Sequence, residues 1–139
     1  MYHTIILVGN LGHDPEMRYT PNGQAVTNFS VATNRQYTGS DGNQIKETTW
    51  FRVSTWGKRA EVCNQYLRKG SKVLIEGRLV PDPATGGPRL WTRNDGTSAA
   101  SFEISAFTVQ FLSTRSEDEG SYEAGESGGS IAEDDEIPF

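Results

Sequence analysis

The residue types best suited to chemistry lie in one short stretch of this chain, which holds two tryptophans and an arginine. Residues 50–56 read WFRVSTW. If they form a β-strand, alternate side chains point to opposite faces, so Trp50, Arg52 and Trp56 share one face. The other face is predicted to be core and consists of Phe51, Val53 and Thr55. The first face predicts either structural tryptophans packed under another part of the assembly, or a surface where unpaired bases stack while the arginine pairs with phosphate.

Further cations lie near the ends of the predicted strands, each close in sequence to an aromatic residue. Lys58 and the pair at 68–69 could instead be a solvated helix face. Trp91 lies in a Pro/Gly-rich segment with little core to enter, which favours a binding role. Because every base has a face to stack, such a surface would bind single strands without reading sequence. The candidate DNA-binding residues are Arg35, Tyr37, Trp50, Arg52, Trp56, Lys58, Arg68, Lys69, Arg89, Trp91 and Arg93.

Short strands and one helix must position these side chains. Runs rich in β-branched and aromatic residues predict five strands, at 3–11, 25–34, 48–56, 72–79 and 102–112. Helical spacing over residues 58–67, with Gly70 beyond, predicts one helix between the third and fourth strands. Residues 80–101 predict a protruding hairpin before the fifth strand. The fold class is therefore all-β with one short helix, in the order of the five-stranded Greek-key barrel called the OB-fold.

The charge of the chain is divided between a basic body and an acidic tail. Residues 1–112 carry 12 Lys and Arg against 9 Asp and Glu, whereas residues 113–139 carry one against nine. The tail has few large apolar residues and is predicted to be disordered. We therefore predict a folded domain over 1–112, a disordered acidic tail over 113–139 and a docking tip for partner proteins. The tip residues are Asp134, Asp135, Glu136, Ile137, Pro138 and Phe139.

Other kinds of site are not clearly indicated. Cys63 is the only cysteine, and His3 and His13 form no cluster with metal-ligand spacing. Carboxylates are scattered over several predicted elements, and Cys63 has no adjacent histidine base. We therefore expect no catalytic residue, no metal and no cofactor. Because a single cysteine cannot form an internal disulfide, we expect a reducing, cytoplasmic location. The apolar run near the N-terminus is too short to cross a membrane, so we expect no membrane partner.

Several sequence blocks, taken in order, resemble the bacterial single-stranded DNA-binding proteins along almost the whole chain. They are ILVGNLG at 6–12, DPE at 14–16, PNG at 21–23, WFRV at 50–53, WGK at 56–58, YLRKG at 66–70, IEG at 75–77 and DDEIPF at 134–139.

The resemblance implies an OB-fold homotetramer that wraps single-stranded DNA and recruits replication, recombination and repair enzymes through its tails. It also implies a nucleoid-associated protein that is not an enzyme. Trp50, Trp56 and Trp91 match stacking aromatics of the family, and Tyr37 matches a position often held by Trp. The residues that match the family's contacts to the DNA phosphate backbone are Arg35, Arg52, Lys58, Arg68 and Lys69.

Three departures from the family pattern are visible. Phe51 stands where many members have His, near subunit contacts, and Trp56 stands where many have Phe. An insertion over residues 80–88 lengthens the hairpin that carries Trp91.

Two other classes of function stay open at this point. An interaction adaptor, whose barrel mainly binds protein or structured RNA, predicts that Trp50 and Trp56 are buried and do not respond to oligonucleotides. A metal-dependent hydrolase predicts an assembled carboxylate site. Exposure of the two indoles and the grouping of the carboxylates discriminate between these alternatives.

Overall fold

Seven strands and one helix form the part of the chain that the computed structural model describes, residues 1–113. All strand pairs are antiparallel except β4 with β7, which is parallel. The elements are β1 (Ile5–Leu11), β2 (Glu16–Tyr19), β3 (Ala25–Thr38), β4 (Gln44–Trp56), α1 (Gly57–Tyr66), β5 (Lys72–Leu79), β6 (Arg89–Thr92) and β7 (Ser98–Phe111).

The five long strands close into a barrel. They follow the order β1-β5-β7-β4-β3, and β1 returns to pair with β3 at Asn10↔Ala32 and Leu11↔Val31. Gly9 stands just before this closure, where an added Cβ would overlap the Ala32 carbonyl oxygen. The strands can therefore cross closely only because this residue has no side chain. The predicted OB-fold is confirmed.

The core consists of the inward-facing side chains of the barrel strands, joined by one side of the helix. Burying each large aliphatic side chain contributes roughly 1.5–3 kcal/mol. Thr27 Oγ1 donates a hydrogen bond to the Ala60 carbonyl oxygen at 2.6 Å and ties α1 to β3. The buried core cluster comprises Leu7, Leu11, Phe29, Val31, Val53, Cys63, Leu67, Val73, Ile75, Ile104 and Ala106.

Two short strands, β2 and β6, are present besides the five predicted ones. In β2, Glu16–Tyr19 pairs with β3 through a tight turn in which the Gly23 N–H donates to the Thr20 carbonyl oxygen at 2.8 Å. In β6, Arg89–Thr92 pairs with the start of β7 and forms the predicted hairpin. Both strands are mainly exposed, so they lack the apolar alternation that reveals a half-buried strand.

Strands β3 and β4 are longer than predicted, because they continue as a two-stranded arm beyond the barrel. Their pairing runs out to Thr38↔Gln44, past polar partners such as Arg35↔Glu47. Backbone hydrogen bonds and cross-strand side-chain pairs stabilise this arm, which has no buried face. The sequence of the arm therefore shows no apolar pattern from which its length could be predicted. The predicted domain boundary at residue 112 and the acidic tail stay predictions, since residues 114–139 lie outside the described range.

Candidate nucleic-acid interface

Strand β4 carries the two tryptophans on its outer face, as its two-residue period predicts. Trp50 is 51% exposed and Trp56 is 42% exposed, with Arg52 exposed between them. The inward-facing Val53 and Thr55 are completely buried. Within the described chain the two indoles are therefore not buried, contrary to the burial that the adaptor hypothesis predicts for them.

Trp50 rests on the backbone of Gly12. A Cβ added at Gly12 would lie 2.5 Å from Cζ3 and 2.7 Å from Cη2 of the indole. The Gly12 N–H donates to the Ser30 carbonyl oxygen at 3.1 Å, which fixes this backbone against β3. The ring is therefore supported by a fixed surface while about half of its residue remains open to solvent. The sequence did not indicate this role for Gly12, because Gly12 and Trp50 are 38 residues apart in the chain.

Trp56 lies at the junction between β4 and α1. It has extended backbone, and Gly57 turns the chain into the helix with φ of 63°, a left-handed conformation that favours glycine. The first turn of α1 then carries Lys58 and Arg59 and no acidic residue. The free N–H groups at a helix start form the positive end of its dipole. With two exposed cations added, this end of the helix attracts an anion beside the Trp56 ring.

Arg68 and Lys69 follow α1 and lie beside the segment that supports Trp50. The Lys69 N–H donates to Asp14 Oδ1 at 2.8 Å, and the Gly70 N–H donates to the Leu11 carbonyl oxygen at 2.9 Å. Both cationic side chains belong to exposed residues. The structure thus brings this pair close to Gly12, and so to Trp50.

Trp91 lies on the hairpin next to the Trp50 side of the barrel. Its Nε1 donates to Ser101 Oγ at 2.8 Å, and the Arg93 guanidinium carbon lies 5.7 Å from its ring centroid. Phe51 and Phe102 are paired in the parallel β4–β7 ladder. The residues that precede them, Trp50 and Ser101, are therefore neighbours on the outer face of the sheet. Trp91, 47% exposed, therefore extends the outer surface that begins at Trp50.

Arg35, Tyr37 and Arg89 have different surroundings. Arg35 lies 4.5 Å from the Tyr37 ring centroid and 3.5 Å from a Glu47 oxygen, while Arg89 lies 3.8 Å from Glu103. By alternation along β4, Glu47 shares the face of Phe51 rather than that of Trp50. The structure therefore places Arg35 and Tyr37 on the other face of the arm, with the arginine partly neutralised by an exposed ion pair.

A comparison with known protein families decides the assignment. The model of the single-strand binding protein family matches residues 2–112. The chain belongs to this family. The resemblance read from the sequence blocks is thereby confirmed.

Relatives in the single-strand binding family are similar over most of the chain. The single-stranded DNA-binding protein of Wolinella succinogenes is 42% identical over 123 residues, which cover 88% of this chain and 72% of that protein. Single-stranded DNA-binding protein 1 of Chlorobaculum tepidum is 37% identical over 155 residues, covering 97% and 96%. A crystal structure of a deletion mutant of the single-stranded DNA binding protein from Thermus aquaticus matches with a TM-score of 0.62 and 28% identity, covering 81% of this chain and 51% of that one.

The structure gives no support to a catalytic centre within residues 1–113. Burial raises the pKa of the Cys63 thiol from 9.0 to about 11, against smaller opposite effects of a hydrogen bond with Thr55 and the charge of Arg59. The thiol is therefore protonated at neutral pH and unsuited to nucleophilic attack. In the same range no three His, Cys, Asp or Glu side chains come together as metal ligands could. No helix in the described part of the chain is long and apolar enough to cross a membrane.

Proposed function

We propose that the protein binds single-stranded DNA without sequence preference, by stacking bases on its exposed tryptophans and pairing phosphates with adjacent cations. The observation that carries this proposal is the outer face of β4, where exposed Arg52 lies between two half-exposed indoles while the inner face is core. Family membership supports the proposal, because the similar proteins are named for single-stranded DNA binding. Trp91 and the cations at 58 and 68–69 extend the same surface.

Stacking explains why the proposed ligand is a single strand. Each stacked base is worth roughly 1–3 kcal/mol, whereas a duplex keeps its base faces covered. Three exposed indoles therefore predict a preference for single strands of at least about 100-fold over duplex. Phosphate pairing adds a salt dependence of about 0.7 in the log–log slope for each phosphate neutralised.

Fluorescence anisotropy with labelled oligonucleotides tests this proposal. A dT oligonucleotide and a duplex of equal length would be titrated with the full chain at two salt concentrations. We expect tight binding of the single strand, weak binding of the duplex, and affinities for both that fall with salt. Equal affinity for the two ligands would contradict stacking and would leave only nonspecific attraction to phosphate.

We also propose that the protein assembles as a homotetramer, as the resemblance implies. Strand β1 pairs with β3 only through Asn10 and Leu11, so residues 5–8 present one strand edge that has no partner among residues 1–113. On the same strand Ile6 and Val8 are exposed. An unpaired edge with apolar side chains favours pairing with a second copy. Light scattering would return the mass of four chains; a monomer at micromolar concentration would contradict the proposal.

A third part of the proposal concerns the acidic tail, whose tip would recruit replication, recombination and repair enzymes. The Phe139 ring would enter an apolar partner pocket while the acids at 134–136 meet Lys or Arg. A cytoplasmic, nucleoid-associated location accords with this role and stays a prediction.

The tip is tested by deletion of Phe139 alone, which removes the ring. We expect loss of at least about 10-fold in affinity for a repair enzyme that binds the wild-type chain, since a central aromatic anchor contributes about 2 kcal/mol or more. Affinity for a dT oligonucleotide should stay within about twofold, because the indole surface is untouched. Tyr122→Ala, elsewhere in the tail, is the matched control. Undiminished enzyme binding after the deletion would refute the docking role.

A further inference from the structure

A second pair of exposed aromatic rings lies outside the tryptophan surface, at the end of the helix. Tyr66 is 57% exposed and Phe111 is 40% exposed, with ring centroids 6.3 Å apart and ring planes inclined at 48° to each other. They line a cavity of about 420 Å³, within the range of roughly 300–1,000 Å³ typical of small-molecule sites. The cavity is lined by Tyr66, Leu67, Arg68, Ser71, Lys72, Phe111 and Ser113, and we call it the Tyr66–Phe111 pocket.

The chemistry of this pocket combines apolar rings with positive charge. Arg68 and Lys72 contribute cationic side chains, Ser71 and Ser113 contribute hydroxyls, and none of the described lining residues is acidic. Its walls are held by the barrel: the Lys72 N–H donates to Ser113 Oγ at 2.6 Å, and the Leu112 N–H donates to the Lys72 carbonyl oxygen at 2.8 Å. Rings to stack on, with cations beside them, match a nucleotide.

Hydrogen bonds connect this pocket to the support of Trp50. The Leu11 N–H donates to the carbonyl oxygen of Ser71, a lining residue, at 2.9 Å, and the Arg68 N–H donates to Ser71 Oγ at 3.1 Å. The residue after Leu11 is Gly12, against which the Trp50 indole rests. Residues 68–71 therefore join the segment that supports Trp50 to the wall of the pocket.

We propose that the Tyr66–Phe111 pocket is an additional binding site for one nucleotide of the same single strand, with the base on the rings and a phosphate on Arg68 or Lys72. This inference rests on the proposed function and extends the path of the strand beyond the tryptophans. Continuity with Trp50 and the absence of carboxylates among the described lining residues favour this occupant. The predicted acidic tail, which begins at residue 113 of the sequence, is the competing occupant, and experiment must distinguish it from DNA.

Photocross-linking locates the bases directly. A dT oligonucleotide containing 5-iodouracil is bound to the full chain, irradiated and digested, and the cross-linked peptides are identified by mass spectrometry. We expect cross-links at Tyr66 or Phe111 as well as at Trp50 and Trp56. Cross-links at the tryptophans alone would overturn this inference and leave the proposed function intact. Absence of cross-links throughout, together with absence of binding, would overturn both.

A double substitution, Tyr66→Leu with Phe111→Leu, tests the contribution to affinity while it keeps the pocket apolar. We expect affinity for a long dT oligonucleotide to fall by about five- to 150-fold, the worth of one stacked base, with thermal unfolding close to that of the wild type. Tyr2→Leu, at an exposed tyrosine away from the pocket, is the matched control and should have no effect. Unchanged affinity would overturn the inference. Tighter binding at low salt would also overturn it, because it would show that the tail occupies the pocket and competes with DNA.

Discussion

Trp50→Ala lowers the affinity of the protein for a dT oligonucleotide by about five- to 150-fold, the equivalent of one lost stacking platform at roughly 1–3 kcal/mol. The indole is half-exposed and rests on Gly12, so its removal frees no buried cavity and costs little stability. The expected change is therefore in binding rather than folding. Fluorescence anisotropy measures the affinity, and thermal unfolding verifies that the variant remains folded.

Two further variants make this result specific to stacking. Trp50→Phe keeps an aromatic face at the same position and should recover most of the lost affinity. Gly12→Ala keeps the indole but displaces it, because the new Cβ would lie 2.5 Å from the ring, so it should show an intermediate loss. An affinity of Trp50→Ala within twofold of wild type would show that the indole is not a binding platform.

Gly9→Ala destabilises the barrel by about 1–3 kcal/mol, the usual cost of an added group in a packed interior. The new methyl would overlap the Ala32 carbonyl oxygen and lie 2.8 Å from Val31 Cγ1. The first of these is backbone, which cannot rotate away, so β1 and β3 must separate where the barrel closes. Thermal unfolding should show a midpoint lower by roughly 4–8 °C for each kcal/mol.

Gly87→Ala is the matched control for this substitution. There the added Cβ would meet only Thr85 Oγ1, at an ordinary contact distance of 3.6 Å, and we expect the same unfolding midpoint as the wild type. Below its melting temperature Gly9→Ala should bind DNA normally, because no binding side chain is altered. Equal midpoints for Gly9→Ala and wild type would show that the barrel does not close as described.

The parts of the fold that bury apolar side chains were predictable from sequence. Alternation in residues 50–56 identified both faces of β4, and the β-rich runs located all five barrel strands. The arm ending at Thr38, strand β2 and the bounds of β6 within the predicted hairpin were not predicted, because backbone pairing rather than burial defines them. Apolar periodicity carries no information on such exposed pairing.

The residue types of the candidate site were visible in the sequence, but their arrangement was not. Support of Trp50 by Gly12, the hydrogen bond from Trp91 to Ser101 and the pairing of Tyr66 with Phe111 each join segments that are separate in sequence. The packing of distant segments against one another decides these contacts. The register of β3 with β4 places Arg35 and Tyr37 on the opposite face of the arm from Trp50, which their position near a predicted strand end did not reveal.

Intrinsic tryptophan fluorescence, titrated with a dT oligonucleotide and with a duplex of equal length, tests the central claim most directly. All three tryptophans of the chain are exposed. Bases that stack on them should therefore quench their fluorescence, so the quenching measures DNA binding. We predict strong quenching by the single strand and little by the duplex, with the quenching reduced in Trp56→Ala. No quenching by the single strand at concentrations that saturate binding would contradict the account, since DNA would then bind elsewhere and the indoles would be structural.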